Sequence, residues 1–375
     1  LADANNDGKV SMLDVGQAKL IILGKEKKLT YIDVFGEAET VKKPIERLAN
    51  LGTYGLQIAR MVNAEEILLP VVGWPPIKEW AIFYSEFVDW PAAGLGSETD
   101  FEYILSLNPD TVQPNFEYTS YPSAKMREEK KLFKEKLLDI PLISLDFRTP
   151  TVISRSVGTY GYILDREEDA QEFIDWYDGS MNLIMTRIEG IAEDEKPRFY
   201  IAGGHEGAKF YSTKTSKDRR AQAITIAGGI NIADELIDIG DPESPTALTV
   251  DPEWVIEQNP EYIFRVVHPG TTELSGYMLD DTAAVAAARQ AIMDRPELAK
   301  VNAVVNGTVY IVEGHLDDGG GNTIIGSAYA AKLFYPHLFE DIDTQTVHQE
   351  YVDKFCHFDF NVREHGVFWY PSLED

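Results

Sequence analysis

Side chains able to bind a hard metal ion are concentrated in the twelve residues DANNDGKVSMLD, from Asp3 to Asp14. A calcium-binding loop takes oxygen ligands from positions 1, 3, 5, 9 and 12, a backbone carbonyl from position 7, and Gly at position 6 for a sharp turn. Gly8 stands at that turn position. The predicted ligands are the side chains of Asp3, Asn5, Asp7, Ser11 and Asp14, with the carbonyl of Lys9. We therefore expect Ca2+ at this loop and no catalytic cofactor.

A helix must follow the loop to position its last ligands, and Val15, Ala18 and Ile22 recur at helical spacing. The loop closes with Asp14 where an EF-hand usually has Glu, and the entering helix of an EF-hand is missing. The pattern resembles half of a dockerin module, a calcium-binding repeat that normally occurs in pairs. Since the chain begins just before Asp3, we expect a second repeat or a surface partner upstream. One repeat covers only residues 1–28, so it does not account for the main function.

The composition describes a strongly acidic globular chain with room for two lobes. It has 375 residues, 44% of them apolar, whereas single cores stop growing near roughly 250–300 residues. The 34 basic and 62 acidic residues give a net charge of −28, which argues against nucleic acid or anionic lipid as a partner. Cys356 is the one cysteine, so disulfides and thiolate metal clusters are excluded.

An internal repeat indicates the architecture. FEYILSLNPDTVQ, residues 101–113, aligns with PEWVIEQNPEYIF, residues 252–264, and each copy is typical of a short helix, an Asn-Pro stop and a buried strand. Two copies indicate two lobes of one design. Strand-like runs such as PLISLDF and RFYIAG alternate with helical stretches. The predicted class is therefore α/β, with mostly parallel sheets flanked by helices.

A long helix is predicted between the two copies, because apolar residues advance by steps of three and four from Ile174 to Ile191. It is expected to connect the lobes rigidly. The predicted organisation is a calcium-binding repeat at residues 1–28, an N-terminal lobe at 29–165, a connecting helix at 166–193 and a C-terminal lobe at 194–375.

This organisation, with a helix followed by the motif N-P-[DE]-x-[VI] in each lobe, resembles the substrate-binding proteins of iron-chelate and cobalamin importers. These proteins serve the type III class of ABC importer. AGGINIAD, residues 227–234, is similar to a second-lobe segment of that family, and IIGSAYAAKLFYPHLFEDID resembles its C-terminal helix and tail. The resemblance implies an extracytoplasmic protein that captures an iron chelate, corrinoid, haem or related metal compound and performs no catalysis. It also implies a monomer that delivers its ligand to an ABC permease, with a membrane anchor on the full-length protein.

The resemblance further implies two sets of functional residues. One acidic residue near the start of the repeated helix in each lobe docks on arginines of the permease, and here these residues are Glu102 and Glu253. Ligand-binding side chains come from loops at strand ends, where aromatic rings suit flat chelates, Arg suits anions and His ligates metals. The candidates are Tyr54, Trp74, Tyr118, Tyr160, His205, Arg265, His268 and His315.

Two other classes of function stay open at this point. One is a dockerin-bearing surface adhesion or scaffold protein, in which the calcium module is central. The other is a carbohydrate-active enzyme, since a chain this rich in carboxylates includes candidate glycosidase pairs. Against enzymes in general, the sequence has no HExxH, no GxSxG and no GxGxxG after a strand.

Overall fold

The computed structural model describes residue 4 and residues 9–74, 87–116, 123–203, 210–241, 244–268, 274–314, 316 and 320–373. These residues form two compact units. Unit 1 contains the described residues up to Trp176, and unit 2 contains those from Tyr177 onward.

Unit 1 combines an antiparallel hairpin with a small parallel sheet. Its elements are α1 (Met12–Ile22), β1 (Lys28–Ile32), β2 (Ala38–Lys42), β3 (Leu48–Asn50), α2 (Thr53–Met61), α3 (Phe101–Ser106), β4 (Thr111–Gln113), α4 (Ala124–Leu137), α5 (Ile153–Leu164) and the first half of α6 (Glu167–Arg187). β3 and β4 are parallel, with Ala49 opposite Val112. Parallel bridges to Leu68 and Leu142 extend this sheet on both sides.

Unit 2 is built on a five-stranded sheet in the order β11-β10-β9-β5-β7. Its elements after α6 are β5 (Arg198–Gly203), β6 (Ser212–Lys214), α7 (Arg219–Ile226), β7 (Ile230–Asn231), β8 (Ala247–Thr249), α8 (Pro252–Gln258), β9 (Tyr262–Val267), α9 (Ala283–Met293), α10 (Asn302–Val305), β10 (Val309–Glu313), α11 (Asn322–Phe334), α12 (Thr344–Tyr351) and β11 (Trp369–Tyr370). Four of the five strands are parallel and the edge strand β11 is antiparallel. The predicted α/β class is confirmed.

The two copies of the repeat have the same local structure. Each helix, α3 or α8, begins after an Asp whose carboxylate accepts a backbone N–H of the first turn: Asp100 from Tyr103 at 2.9 Å and Asp251 from Glu253 at 2.8 Å. Each copy then reaches an Asn at positive φ, 50° at Asn108 and 47° at Asn259. Asn tolerates this left-handed conformation, and the Pro that follows keeps the helix from continuing. The chain then enters β4 or β9.

The helix α6 is shorter than the sequence predicts. It ends at Arg187 rather than near residue 193. Gly190 follows with a φ of 84°, a left-handed conformation that an α-helix does not contain. The unit boundary falls inside α6, so Phe173 is buried in unit 1 and Ile184 in unit 2.

The helix α1 forms where Val15, Ala18 and Ile22 predict it, but these residues do not pack against the described chain. Val15 is 56% exposed and Ile22 is 82% exposed. Asp14 is the buried residue of this helix. Within the described ranges, no helix is long and apolar enough to cross a bilayer.

A candidate ligand-binding site at the carboxyl ends of the strands

Three parallel strands of unit 2 end side by side, and their last residues define a candidate site. β9 lies between β5 and β10, with Arg265 in register with Ala202 on one side and Ile311 on the other. Because parallel strands share one carboxyl edge, Gly203, His268 and Glu313 all lie at that edge. Open α/β sheets generally bind ligands there.

Arg265 places a guanidinium at this edge. Its Nη1 donates to the carbonyl of Ala202 at 3.1 Å, and the group lies across Gly203. A Cβ on Gly203 would lie 1.9 Å from Nη1, so the glycine is required for this arrangement. Burial lowers the pKa of Arg265, and repulsion from Arg295 adds to the effect. A guanidinium stays charged at neutral pH even so, and the site therefore favours an anion.

His268 and Glu313 complete the described part of the edge. The imidazole of His268 lies against Gly314, where a Cβ would be 2.5 Å from Nδ1. Glu313 is fully buried, and its Oε2 accepts the backbone N–H of Leu316 at 3.2 Å. His268 is half-buried at this edge, and imidazole nitrogen is a common ligand of metal ions.

In unit 1, two of the predicted ligand residues lie at the corresponding edge. Tyr54 is the second residue of α2, just beyond β3; it is buried, and the guanidinium carbon of Arg148 lies 4.4 Å from its ring centroid. Trp74 follows the bridge residue Val72 and is 63% exposed. An exposed indole on a loop is available to stack on a flat ligand.

Tyr160 has a different environment from the one predicted. Its side chain is fully buried, and its hydroxyl donates to Gln113 Oε1 at 2.8 Å. Asn50 donates to the same oxygen at 3.4 Å, while its own Oδ1 accepts the N–H of Gly52. Tyr160 thus belongs to a buried polar network at the ends of β3 and β4. It differs from the prediction because the face of α5 that carries Tyr160 packs against the core of unit 1.

Several predicted site residues lie outside the described residues. Among the ligand candidates these are Tyr118, His205 and His315, and in the calcium loop they are Asp3, Asn5 and Asp7. The described end of that loop forms a capping box. Ser11 accepts the N–H of Leu13 at 3.1 Å, and Asp14 accepts the N–H of Ser11 at 2.5 Å. The Asp14 carboxylate is therefore turned back toward the loop.

Glu102 and Glu253 occupy equivalent positions. Each is exposed and is the second residue of its helix, after Phe101 in α3 and after Pro252 in α8. A carboxylate in the first turn is stabilised by the positive end of the helix. Because both side chains are exposed, their carboxylate oxygens remain accessible to a partner protein.

Arg148 is a site residue that the sequence interpretation missed. It lies just beyond the strand-like run PLISLDF, so the strand-end rule that selected Tyr54 also selects this position. The residue is 3% exposed, which is unusual for an arginine and indicates a structural role beside Tyr54.

A cluster of carboxylates elsewhere in unit 1 is organised by a lysine. Asp33, Glu37 and Glu39 bring oxygen atoms within 4.8 Å of one another. The ammonium of Lys130 contacts all three, at 2.7 Å from Glu37 and 3.1 Å from Glu39. Burial opposes its charge, but the hydrogen bonds to the three carboxylates outweigh burial and raise the pKa of Lys130. The ammonium thus takes the place that a metal ion would need.

Comparison with solved structures gives the same fold over most of the chain. FepB from Veillonella parvula, a TroA-like periplasmic binding protein, superposes with a TM-score of 0.71 at 21% identity, covering 91% of this chain and 98% of that one. CeuE from Helicobacter pylori, solved with nickel and histidine, gives 0.62 at 17% identity and covers 90% and 97%. The molybdate-bound periplasmic binding protein MolA from Haemophilus influenzae gives 0.65 at 18% identity and covers 88% and 98%.

Sequence comparison identifies the family. No curated protein matches the chain. A family model described as periplasmic binding protein matches residues 53–315, more than two thirds of the sequence and the region that contains both copies of the repeat. The chain therefore belongs to the periplasmic binding protein family.

Proposed function

We propose that this protein is the extracytoplasmic substrate-binding component of an ATP-driven importer, and that it captures an anionic metal chelate and delivers it to a permease. Ferric chelates, haem and corrinoids with acidic groups are the candidate ligands. The observation that carries the proposal is Arg265, whose half-buried guanidinium lies at the carboxyl edge of the unit 2 sheet. A guanidinium at this edge can form charge-assisted hydrogen bonds with an acidic group of a ligand.

The strand-end residues of each unit, taken by itself, suit a ligand with an aromatic or metal-containing part. Trp74 offers an exposed ring, and His268 offers a nitrogen donor. The fold is shared with binding proteins solved with molybdate or with nickel and histidine, which supports a metal compound as ligand. Members of this family bind solutes, which argues against the carbohydrate-active enzyme.

Thermal unfolding with a panel of compounds tests the ligand class. A ligand at a hundredfold excess over its dissociation constant raises the free energy of unfolding by about 2.7 kcal/mol. We expect stabilisation by at least one ferric chelate, haem or acidic corrinoid. Arg265→Gln should weaken that binding about tenfold or more, because it removes a charged donor. Arg363→Gln is the matched control, since Arg363 pairs with Asp343 on the surface. No response to any member of the panel would refute the proposal.

We also propose that the loop from Asp3 to Asp14 binds Ca2+. The orientation of the Asp14 carboxylate toward the loop supports this, as do the residue types at the other ligand positions. Amide hydrogen exchange provides the test. A chelator should speed exchange in the N-terminal segment up to about Gly24 and leave the rest of unit 1 and all of unit 2 protected. Unchanged exchange in that segment would argue against calcium binding.

A further inference from the structure

Unit 1 contains a cavity of about 640 Å3, a size within the usual range of small-molecule sites. One wall is the β1–β2 hairpin, with Thr30 and Ile32, and a second is the segment Leu145–Asp146. The third wall is one face of α5. None of the five predicted ligand residues that the structure describes lines this cavity.

The α5 wall carries a guanidinium and a hydroxyl that have no partner among the described residues. Val152, Arg155, Ser156 and Thr159 are spaced i, i+3, i+4 and i+7, so they share one face of the helix. Arg155 is exposed, and its guanidinium has no ion pair or hydrogen bond with any residue that the structure describes. Ser156 is 5% exposed, and its hydroxyl has no partner among the same residues. The hydroxyl lines the cavity, where it is placed to donate to an acceptor on a ligand.

The carboxylates that line the cavity are already engaged. Asp33 Oδ1 accepts two backbone N–H groups at 2.9 Å, and its other oxygen pairs with Lys130. Asp146 Oδ1 accepts the N–H groups of Arg148 and Thr149, each at 2.9 Å. Arg155 has no described counter-charge, whereas both lining carboxylates accept from described donors. The nearby N-terminal turn of α5 adds a partial positive charge.

We propose that this cavity is a second ligand site that binds a small organic carboxylate. The carboxylate pairs with the fork of Arg155 and accepts a hydrogen bond from Ser156. The carbon skeleton packs on the apolar side chains of Ile32, Leu145 and Val152. This site is separate from the edge of unit 2 that contains Arg265.

Isothermal titration with L-lactate, L-malate, benzoate and inorganic phosphate tests the proposal on the full chain. We expect at least one of the three organic acids to bind saturably and more tightly than phosphate, which cannot use the apolar wall. Arg155→Gln should weaken this binding about tenfold or more, and Ser156→Ala by roughly threefold to tenfold. Lys131→Gln is the matched control, because Lys131 is an exposed cation of the same unit, paired only with Glu128 on its own helix.

Arg265→Gln separates this site from the one proposed for the transported ligand. Organic-acid binding that survives in Arg265→Gln and is lost in Arg155→Gln supports the second site. Binding lost in Arg265→Gln but kept in Arg155→Gln assigns the acid to unit 2 and overturns the proposal. Absence of saturable binding up to 10 mM acid, a generous limit for a specific site, also overturns it.

Discussion

At the scale of single residues, the site depends on a glycine as much as on an arginine. Gly203 has a φ of 88°, and the guanidinium of Arg265 occupies the space that a Cβ would fill. We predict that Gly203→Ala displaces Arg265 and weakens binding of the anionic ligand. It should also cost about 1–2 kcal/mol of unfolding free energy, because alanine is strained at positive φ.

Gly190→Ala is the matched control for that substitution. Gly190 has a similar φ of 84°, and nothing lies within 4 Å of its potential Cβ. Gly190→Ala should therefore lower the free energy of unfolding through backbone strain but leave the affinity for the anionic ligand unchanged. Equal ligand affinity in the two variants, measured by titration, would contradict the role assigned to Gly203.

The burial of His348 makes the free energy of unfolding depend on pH. It is completely buried in α12, with Nε2 2.6 Å from the hydroxyl of Tyr277, and burial lowers the pKa of His348 from 6.5 to about 3. Between these values the unfolded chain binds a proton that the folded chain does not. This contribution to stability is therefore complete above pH 6.5 and is lost as the pH falls, by about 1.4 kcal/mol per pH unit.

Urea unfolding of the wild type and of His348→Asn at pH 7, 5 and 4 measures this effect. The variant should be less stable at pH 7 and should lose less stability on acidification, since carboxylates titrate in both proteins and cancel in the difference. Parallel pH profiles would show that His348 does not carry the dependence.

At the scale of elements, the ion pairs of Lys130 in α4 link this helix to the β1–β2 hairpin. Its side chain is 4% exposed, and Asp33 beside it is fully buried. Lys130→Met leaves these carboxylates without their cation, and breaking a buried ion pair in this way costs about 3–5 kcal/mol. We predict a loss of that size in the free energy of unfolding.

Lys131→Met tests whether the loss is specific. Lys131 is the next residue along α4, is 72% exposed and pairs with Glu128 on the same helix. Surface pairs contribute about 0–1 kcal/mol, so this variant should unfold close to the wild type. A similar loss in both variants would mean that helix propensity, rather than the buried cluster, explains the result.

Sequence predicted the elements better than the side-chain directions within them. The helix-Asn-Pro-strand repeat was readable because capping Asp, left-handed Asn and Pro are local signals. The end of α6 was missed because the apolar period continues through Ile188 and Ile191, while Gly190 stops the helix. Tyr160 and Arg148 show the remaining difficulty. Whether a side chain faces a core or an edge depends on packing against elements distant in sequence, which spacing along the chain does not reveal.

At the scale of the whole molecule, the repeat presents one carboxylate in each unit in the same local setting. If Glu102 and Glu253 dock on permease arginines, Glu102→Lys with Glu253→Lys should reduce transport at least tenfold, because like charges across an interface repel. Ligand affinity should be unchanged. Transport into vesicles that contain the permease, with ligand titration in parallel, provides the measurement.

The control reverses two other exposed carboxylates, with Glu128→Lys and Glu340→Lys. This pair changes the net charge of −28 by the same amount, so it accounts for long-range steering. Transport that falls equally in both double variants would assign the effect to overall charge. Lost ligand affinity in the first pair would place Glu102 and Glu253 at the ligand site instead.

The position of the unit boundary within α6 has a consequence for dissecting this protein. A cut between Trp176 and Tyr177 leaves residues 167–176 on one fragment and 177–187 on the other, roughly ten helical residues each. Isolated helices shorter than about 12–15 residues are marginal in water. Each fragment would thus carry a half-helix that depends on packing within its own unit, through Phe173 in unit 1 and Ile184 in unit 2. A cut at this position therefore tests whether each unit keeps its fold when the shared helix is divided, with circular dichroism of the two fragments as the measurement.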